Sequence, residues 1–230
     1  MEIKNLKDIS WDKLELIIFD VDGTLYDQSK LRKKMFFALI RYYIIRPWKY
    51  NDLLILYYFR KEREAHAGLK VDNLEEAQYE WCAKQLNCSI AEVKRVVEHW
   101  IFNFPNPYLA SCKYAGLNAF FKELERLKIA RAVYSDYDAA QKLSHMNIQV
   151  DLMVSSTQPG INSLKPLPNG LNYILSEMKI KDKRNCLFIG DRMELDGICA
   201  DAAGIPFLLV RKQNAGFYED LAISIKKSKL

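Results

Sequence analysis

Histidine is scarce in this chain of 230 residues, and cysteine is present without a pattern. The three histidines, His66, His99 and His145, lie far apart with no i, i+4 pair, which argues against a histidine metal centre and for structural or surface roles. The five cysteines, Cys82, Cys88, Cys112, Cys186 and Cys199, are odd in number, widely spread and include no Cys-x-x-Cys. Neither a disulfide framework nor a zinc cage suits that distribution, whereas reduced core residues do. No run approaches the roughly twenty apolar residues of a membrane span; the longest candidate, Leu53 to Phe59, falls far short. The N-terminal segment carries charges (Glu2, Lys4, Lys7, Asp8) where a secretory leader needs its apolar stretch, so a cytoplasmic location is expected. There is no internal repeat and no low-complexity segment.

What is present is an ordinary soluble composition, 50% apolar and 27% charged, in a length that suits one domain with an insertion or two small domains. Apolar runs of strand character fall near Leu14–Asp20, Ala130–Ser135, Leu152–Ser155, Cys186–Gly190 and Pro206–Val210. Between the later ones, Gly116–Lys128, Ala139–Met146, Gly170–Met178 and Leu195–Ala203 carry helical spacing. Such alternation predicts an α/β fold with a doubly wound parallel Rossmann-like sheet. Residues 28–106 break the pattern, with long helical stretches and no convincing strand. Ser89 with Glu92 forms a capping-box signature, and Asn73 with Glu76 resembles another. Pro47 should end the first helix of this region, and residues 103–107 read as a return hinge. The chain therefore divides into a core, 1–27 and 107–230, and an inserted all-helical cap, 28–106.

Charge is concentrated in the insertion. Residues 28–70 hold eleven Lys or Arg against three acids, a surplus of eight in a chain whose net charge is +5. Nine aromatic residues share the window: Phe36, Phe37, Tyr42, Tyr43, Trp48, Tyr50, Tyr57, Tyr58 and Phe59. The plain expectation is that the aromatics pack the cap's own core beneath a solvated cationic face. The sharper one is that this segment meets a membrane surface or a lipid-like phosphate ester. Nucleic acid is not expected, because no matching motif accompanies the modest net charge.

Four polar signals occur in order at the ends of successive strands: Asp20-Val-Asp22-Gly23-Thr24, Ser135, Lys165-Pro166, and Gly190-Asp191 through Asp196. Asp-x-Asp-Gly-Thr should arise by chance in only about one chain in several hundred of this length. In a parallel sheet the carboxyl ends of strands line one rim, so residues distant in sequence can share a pocket. Carboxylates suit a hard divalent cation such as magnesium, while a lysine and a hydroxyl suit a phosphoryl group.

This ordered set resembles the haloacid dehalogenase-like hydrolase superfamily, in particular its helical-cap subclass. The resemblance implies magnesium-dependent phosphoryl transfer through an aspartyl-phosphate, with a mobile cap over the site. By it, Asp20 is the nucleophile and Asp22 the general acid/base. Ser135 and Lys165 hold the phosphoryl group, with Gly23 and Thr24 shaping the adjoining turn, Gly23 by turning sharply and Thr24 by a side-chain to backbone hydrogen bond. The metal ligands implied are Asp20, Asp22 through its main-chain carbonyl, and Asp191, with Asp196 in support. Asp136 stands where members of the superfamily often have asparagine, which adds negative charge near the phosphate unless its side chain turns away. Arg192 can pair with Asp196 or with Glu194.

The chemistry sets opposite demands on the two aspartates. Asp20 must be ionised to attack phosphorus. Asp22 must hold a proton near neutral pH in order to protonate the leaving oxygen, which crowding by neighbouring carboxylates and cap closure would favour. The expected partner is a small phosphorylated metabolite. A phosphomutase with the same core, and a non-catalytic scaffold retaining the fold, are the alternatives; substrate identity and oligomeric state are left open.

Overall fold

In the computed structural model, residues 2–211 and 216–227 are described. The sheet begins with β1 (Leu16–Phe19), four apolar residues each fully buried. A strand covered on both faces needs apolar side chains at every position. The chain then leaves the sheet for α1 (Gln28–Ile45), α2 (Asn51–Ala65), α3 (Leu74–Leu86) and α4 (Ile90–Val97), followed by a widened turn over Glu98–Asn103. It returns through α5 (Asn106–Cys112) and α6 (Leu117–Arg126) to β2 (Ala130–Ser135). The remainder alternates: α7 (Ala140–His145), β3 (Leu152–Ser155), α8 (Asn169–Glu177), β4 (Cys186–Gly190), α9 (Ile198–Ala203), β5 (Phe207–Leu209) and α10 (Phe217–Lys227).

All strand pairs are parallel, in the order β3-β2-β1-β4-β5. Phe19 sits beside Val133 of β2 and Ile189 of β4. The chain winds outward in one direction through β2 and β3, then crosses back to the other side of β1 for β4 and β5. The switch point therefore lies at the carboxyl end of β1, where an open α/β sheet forms its ligand crevice. Side chains alternate across the sheet. Ile17 and Phe19 pack with Phe120, Leu124 and Leu221 on one face, while Leu16 and Ile18 pack with Leu171, Ile174 and Ala200 on the other.

The insertion has its own core, formed by Tyr43, Ile55, Phe59, Tyr79, Val93 and Trp100 among others. Asp27 caps α1 by accepting from the amides of Ser29 and Lys30, and the helix stops at Ile45, just before Pro47. Asn73 and Ser89 accept from the Glu76 and Glu92 amides as expected, but Glu92 makes no return bond to Ser89 among the described residues. The end of α2 is stitched to the core: the Gly68 amide donates to the Lys165 carbonyl at 3.0 Å, and the Leu164 amide to the Leu69 carbonyl at 2.9 Å.

Two sequence expectations need correction. The aromatics of residues 36–59 do not mainly fill the insertion's core. Phe59 and Tyr43 are buried and Tyr42 and Tyr58 pack partly against that core, but Phe36, Phe37, Trp48, Tyr50 and Tyr57 are exposed; α1 itself buries only Leu31 and Tyr43. The helix expected from Leu195 opens instead as a widened turn over Met193–Gly197, and that turn carries Asp196, whose carboxylate faces Lys165.

Candidate active site

The parallel register delivers the site. Asp20 follows β1 directly, and its amide continues the ladder by donating to the Ile189 carbonyl at 2.9 Å. Asp191 follows β4, so adjacent strands place the two acids side by side. Carboxylate oxygens of Asp20, Asp191 and Asp196 lie within 4.8 Å of one another. Between two of them stands Lys165, 1% exposed at its side chain, whose Nζ donates to Asp20 Oδ1 and Asp196 Oδ1, each at 2.8 Å. Asp196 Oδ2 also accepts from the Arg192 amide at 3.1 Å, which fixes its plane. Thr24 donates its hydroxyl to Asp20 Oδ2 at 3.0 Å.

Asp20 and Asp196 share the Lys165 ammonium, and Asp191 lies beside them, so carboxylates crowd a largely buried place. Burial pushes the Asp20 carboxyl well up; Lys165 pulls against it, and Asp196 and Asp191 add to the rise. A hard divalent cation among these oxygens would offset their mutual repulsion and hold Asp20 ionised. The donor set, all oxygen, fits magnesium.

Two glycines make the close approach possible. A Cβ on Gly23 would fall 2.3 Å from Asp191 Oδ2, and one on Gly190 would fall 2.6 Å from the Asp196 side chain. Gly23 also has φ +95°, which other L-residues resist. Gly23→Ala is therefore expected to push Asp191 out of the cluster and to weaken apparent magnesium affinity by about 10- to 100-fold. A magnesium titration of thermal stability would read this, and an unchanged midpoint would contradict it.

Asp22 is placed differently from what its expected role suggests. Both of its oxygens accept from Lys142 Nζ, at 2.6 and 2.7 Å, and Oδ1 also accepts from the Tyr26 hydroxyl. Burial alone would raise its carboxyl, but Lys142, through charge and hydrogen bond, together with Tyr26, turns the net shift downward. The neighbouring carboxylates do not keep it protonated, because a cation nearer than any of them holds it ionised. Lys142 was not singled out by the sequence. One signal was there: Ala139, Leu143 and Met146 form the inward face of α7, and Lys142 interrupts that face, three residues after Ala139. A buried lysine on an apolar face needs an anionic partner.

The other candidates take distinct places. Ser135 is buried, belongs to the cavity lining, and its hydroxyl accepts from the Tyr137 amide at 3.4 Å. Thr24 lies behind Asp20 and braces that carboxylate, while its own carbonyl accepts from Tyr218; it does not tie the turn through its side chain. Neither Thr24 nor Gly23 lines the cavity. The Asp136 side chain accepts from Ser156 at 3.1 Å, and its carbonyl accepts from Arg63 at 2.7 Å, so its charge is engaged beside the site. Arg192 pairs with Glu194 at 3.0 Å through its guanidinium and holds Asp196 only through its amide.

Above these groups opens a cavity of about 990 Å³. Its floor is Asp20, Asp22, Ser135, Lys165, Asp191 and Asp196, and its far end is built from α1 and α2 of the insertion. Arg63, buried and stacked 4.2 Å from the Tyr137 ring centroid, closes the side where insertion meets core. No helix of the described residues is long and apolar enough to cross a membrane.

Comparison with solved structures finds the same fold repeatedly. A haloacid dehalogenase-like hydrolase from Bacteroides fragilis is 18% identical with TM-score 0.54, covering 90% of this chain and 93% of its own. A β-phosphoglucomutase from Clostridium difficile is 16% identical with TM-score 0.57, covering 93% and 98%. A hydrolase from Bacillus subtilis, crystallised bound to magnesium, is 15% identical with TM-score 0.56, covering 86% of each. Comparison with curated protein sequences gives no match. The family model for haloacid dehalogenase-like hydrolases matches residues 17–210, from within β1 to the end of β5, and the chain belongs to that family.

Proposed function

We propose that the protein is a magnesium-dependent phosphatase acting on a phosphate monoester of a small organic alcohol, with Asp20 as nucleophile. The observation that carries this reading is the convergence of Asp20, Asp191 and Asp196 on Lys165 at the floor of a large cavity. Neighbouring folds include a phosphoglycolate phosphatase predicted for Haemophilus somnus and an enzyme from Rhodobacter sphaeroides crystallised with phosphate, which is in keeping with the same chemistry.

Asp20, Asp191 and Asp196, with the main-chain carbonyl of Asp22, would hold the magnesium. When bound, the ion neutralises charge on the carboxylates and on the phosphoryl oxygens. In the first half-reaction an Asp20 oxygen attacks phosphorus, forming an aspartyl-phosphate as the bond to the leaving oxygen breaks. Thr24 holds the second oxygen of Asp20 and so orients the first. Lys165 and the Ser135 hydroxyl stabilise the equatorial oxygens as charge shifts onto them. Asp22 in its ionised form is set for the second half-reaction, in which it draws a proton from the water that attacks the aspartyl-phosphate. In the first, the leaving oxygen takes a proton that Asp22 has first drawn from solvent, against the pull of Lys142 and Tyr26, which orient its carboxyl and hold it below the ordinary value. Residues 28–106 serve as the cap that excludes bulk water, and the unpaired cysteines are in keeping with a reducing cytoplasm.

Release of inorganic phosphate from an aryl phosphate, with magnesium and after chelation, tests the reading. Metal-dependent release is expected. Absence of turnover with magnesium would sink catalysis, and return of the phosphoryl group to a second substrate hydroxyl without release would indicate a mutase.

Lys142 offers a separate check. The folded Asp22 carboxyl lies below its unfolded value of about 4, so its pairing stabilises the fold above that pH and the contribution is lost as the pH falls through the lower folded value. Lys142→Met is expected to destabilise the protein most near neutral pH, with the difference from the parent shrinking below about pH 4. Urea unfolding across that range measures it; a constant difference would show that Lys142 acts by packing alone.

A further inference from the structure

The cavity is larger than a short phosphate ester requires, since about 990 Å³ lies at the upper end of the range for small-molecule sites. Away from its floor the lining is mixed, with an apolar side between α1 and α2 and the cations Arg32, Arg60, Lys61 and Arg63 beside it. Leu31, Met35 and Leu39 of α1 face Leu56 of α2 and Trp100 across it. Phe36, Leu53 and Tyr57 belong to its lining and are at the same time exposed, so apolar residues of the lining reach the outer surface.

That outer surface continues along α1. Phe37, Ile40 and Ile44 follow at i, i+3 and i+7 and share one outward face, joined beyond the helix end by Trp48. Phe37 is 70% exposed, Ile44 74% and Trp48 71%. These residues are not among those that form or pack against the insertion's core. Lys33 and Arg41 lie on the same arc as Phe37 and Ile44, are exposed, and form no ion pair among the described residues. A contiguous apolar-aromatic face set in a segment with eight surplus positive charges matches the chemistry of an anionic bilayer surface: acyl chains for the aromatics, headgroups for the cations.

We propose that the α1–α2 face docks on an anionic membrane leaflet and that the substrate is the phosphate monoester of a long apolar alcohol, its phosphate at Asp20 and its chain along the wall between α1 and α2. The substrate half rests on the phosphatase reading; the docking half does not. A docked cap would pass the substrate from the leaflet to the site without exposing its chain to water, by way of the lining residues Phe36, Leu53 and Tyr57.

The test uses the full chain and a triple variant, Phe37→Ser with Ile44→Ser and Trp48→Ser, none of which lines the cavity. The parent is expected to co-sediment with vesicles containing phosphatidylglycerol at low salt, weakly with neutral phosphatidylcholine vesicles, and less as salt rises. The variant should bind the anionic vesicles at least tenfold more weakly while melting at the parent's temperature. It should hydrolyse an aryl phosphate in solution at the parental rate yet turn over dodecyl phosphate carried in those vesicles at least tenfold more slowly. Failure of the parent to bind anionic vesicles at low salt overturns docking. A higher kcat/KM for glycerol phosphate than for dodecyl phosphate overturns the assigned chain, and hydrolysis of dodecyl phosphate in vesicles at equal rates by parent and variant overturns the route. If no phosphate ester is hydrolysed with magnesium, the phosphatase reading fails with the substrate half, and the sedimentation result alone decides docking.

Discussion

On the proposed reaction, Asp20→Asn is expected to lower magnesium-dependent turnover by roughly 10⁴-fold or more, as removal of a nucleophile does in covalent enzymes. The change removes the attacking oxygen's charge while keeping its shape. The fold should tolerate it, because Lys165 keeps its second partner, Asp196 Oδ1 at 2.8 Å, and Thr24 still finds an oxygen or nitrogen at the position of Asp20 Oδ2. Burial already disfavours the charged form of Asp20 in the absence of metal, so the neutral amide is expected to leave chelated protein as stable as the parent or slightly more so. The discriminating measurement is therefore a pair: phosphate release with magnesium, and a thermal melt with chelator. Near-parental turnover by a properly folded Asp20→Asn protein would remove Asp20 from the reaction.

Lys165→Met should fail for the opposite reason, through the fold as well as the chemistry. Lys165 is among the largest fully buried side chains, and its ammonium stands between two carboxylates with Asp191 close by. Tyr134 and Phe188 present their rings to it at 4.9 and 5.4 Å, so the methionine chain would be accommodated by shape. What would be lost is the cation. Removing one partner of a buried ion pair commonly costs about 3–5 kcal/mol, because the remaining charge has lost its compensation without regaining water. Here two carboxylates are stranded together, and the expected loss in chelated protein is at that level. Magnesium should return part of it, since a ligand held at about 100 times its dissociation constant stabilises the folded state by about 2.7 kcal/mol. The magnesium-induced rise in melting temperature should therefore exceed that of the parent. Turnover should fall by about 10²- to 10³-fold even where the variant is folded, for want of a positive charge on the phosphoryl oxygens. A second change, Asp196→Asn on top of Lys165→Met, relieves one stranded charge and should recover stability but not activity. Equal urea midpoints for parent and Lys165→Met in chelator would show that Lys165 is not compensating buried charge.

Much of this architecture was legible in the chain because it depends on local rules. The five strands are short, apolar and β-rich, and the parallel sheet follows from their alternation with helices. Asp20, Ser135, Lys165 and Asp191 were found for the same reason: each sits at or beyond the end of a strand, and parallel strands share one rim. The insertion was recognisable from its helix caps and lack of strands, but which aromatics it would bury was not, because helical spacing alone does not say how tightly a helix will pack.

The residues missed or misread depend on contacts between distant parts of the chain. Lys142 meets Asp22 across 120 positions, and that pair, with the Tyr26 hydroxyl, reverses the ionisation expected of Asp22. Thr24 turns to Asp20 and not to the turn it follows. The cavity draws Phe36 of α1 together with Leu53 and Tyr57 of α2, residues whose spacing along the chain does not bring them to one site.

Order along the chain, with period-two and period-3.6 spacing of apolar residues, was enough by itself to specify the sheet, its winding and the rim on which the acids gather, since those follow from backbone geometry and burial. Which charges touch, and hence which carboxylate is ionised and which surface stays bare, was decided only by tertiary packing. Electrostatic interaction depends on distance and on exclusion of water, and neither quantity is encoded in the spacing of residues along the chain.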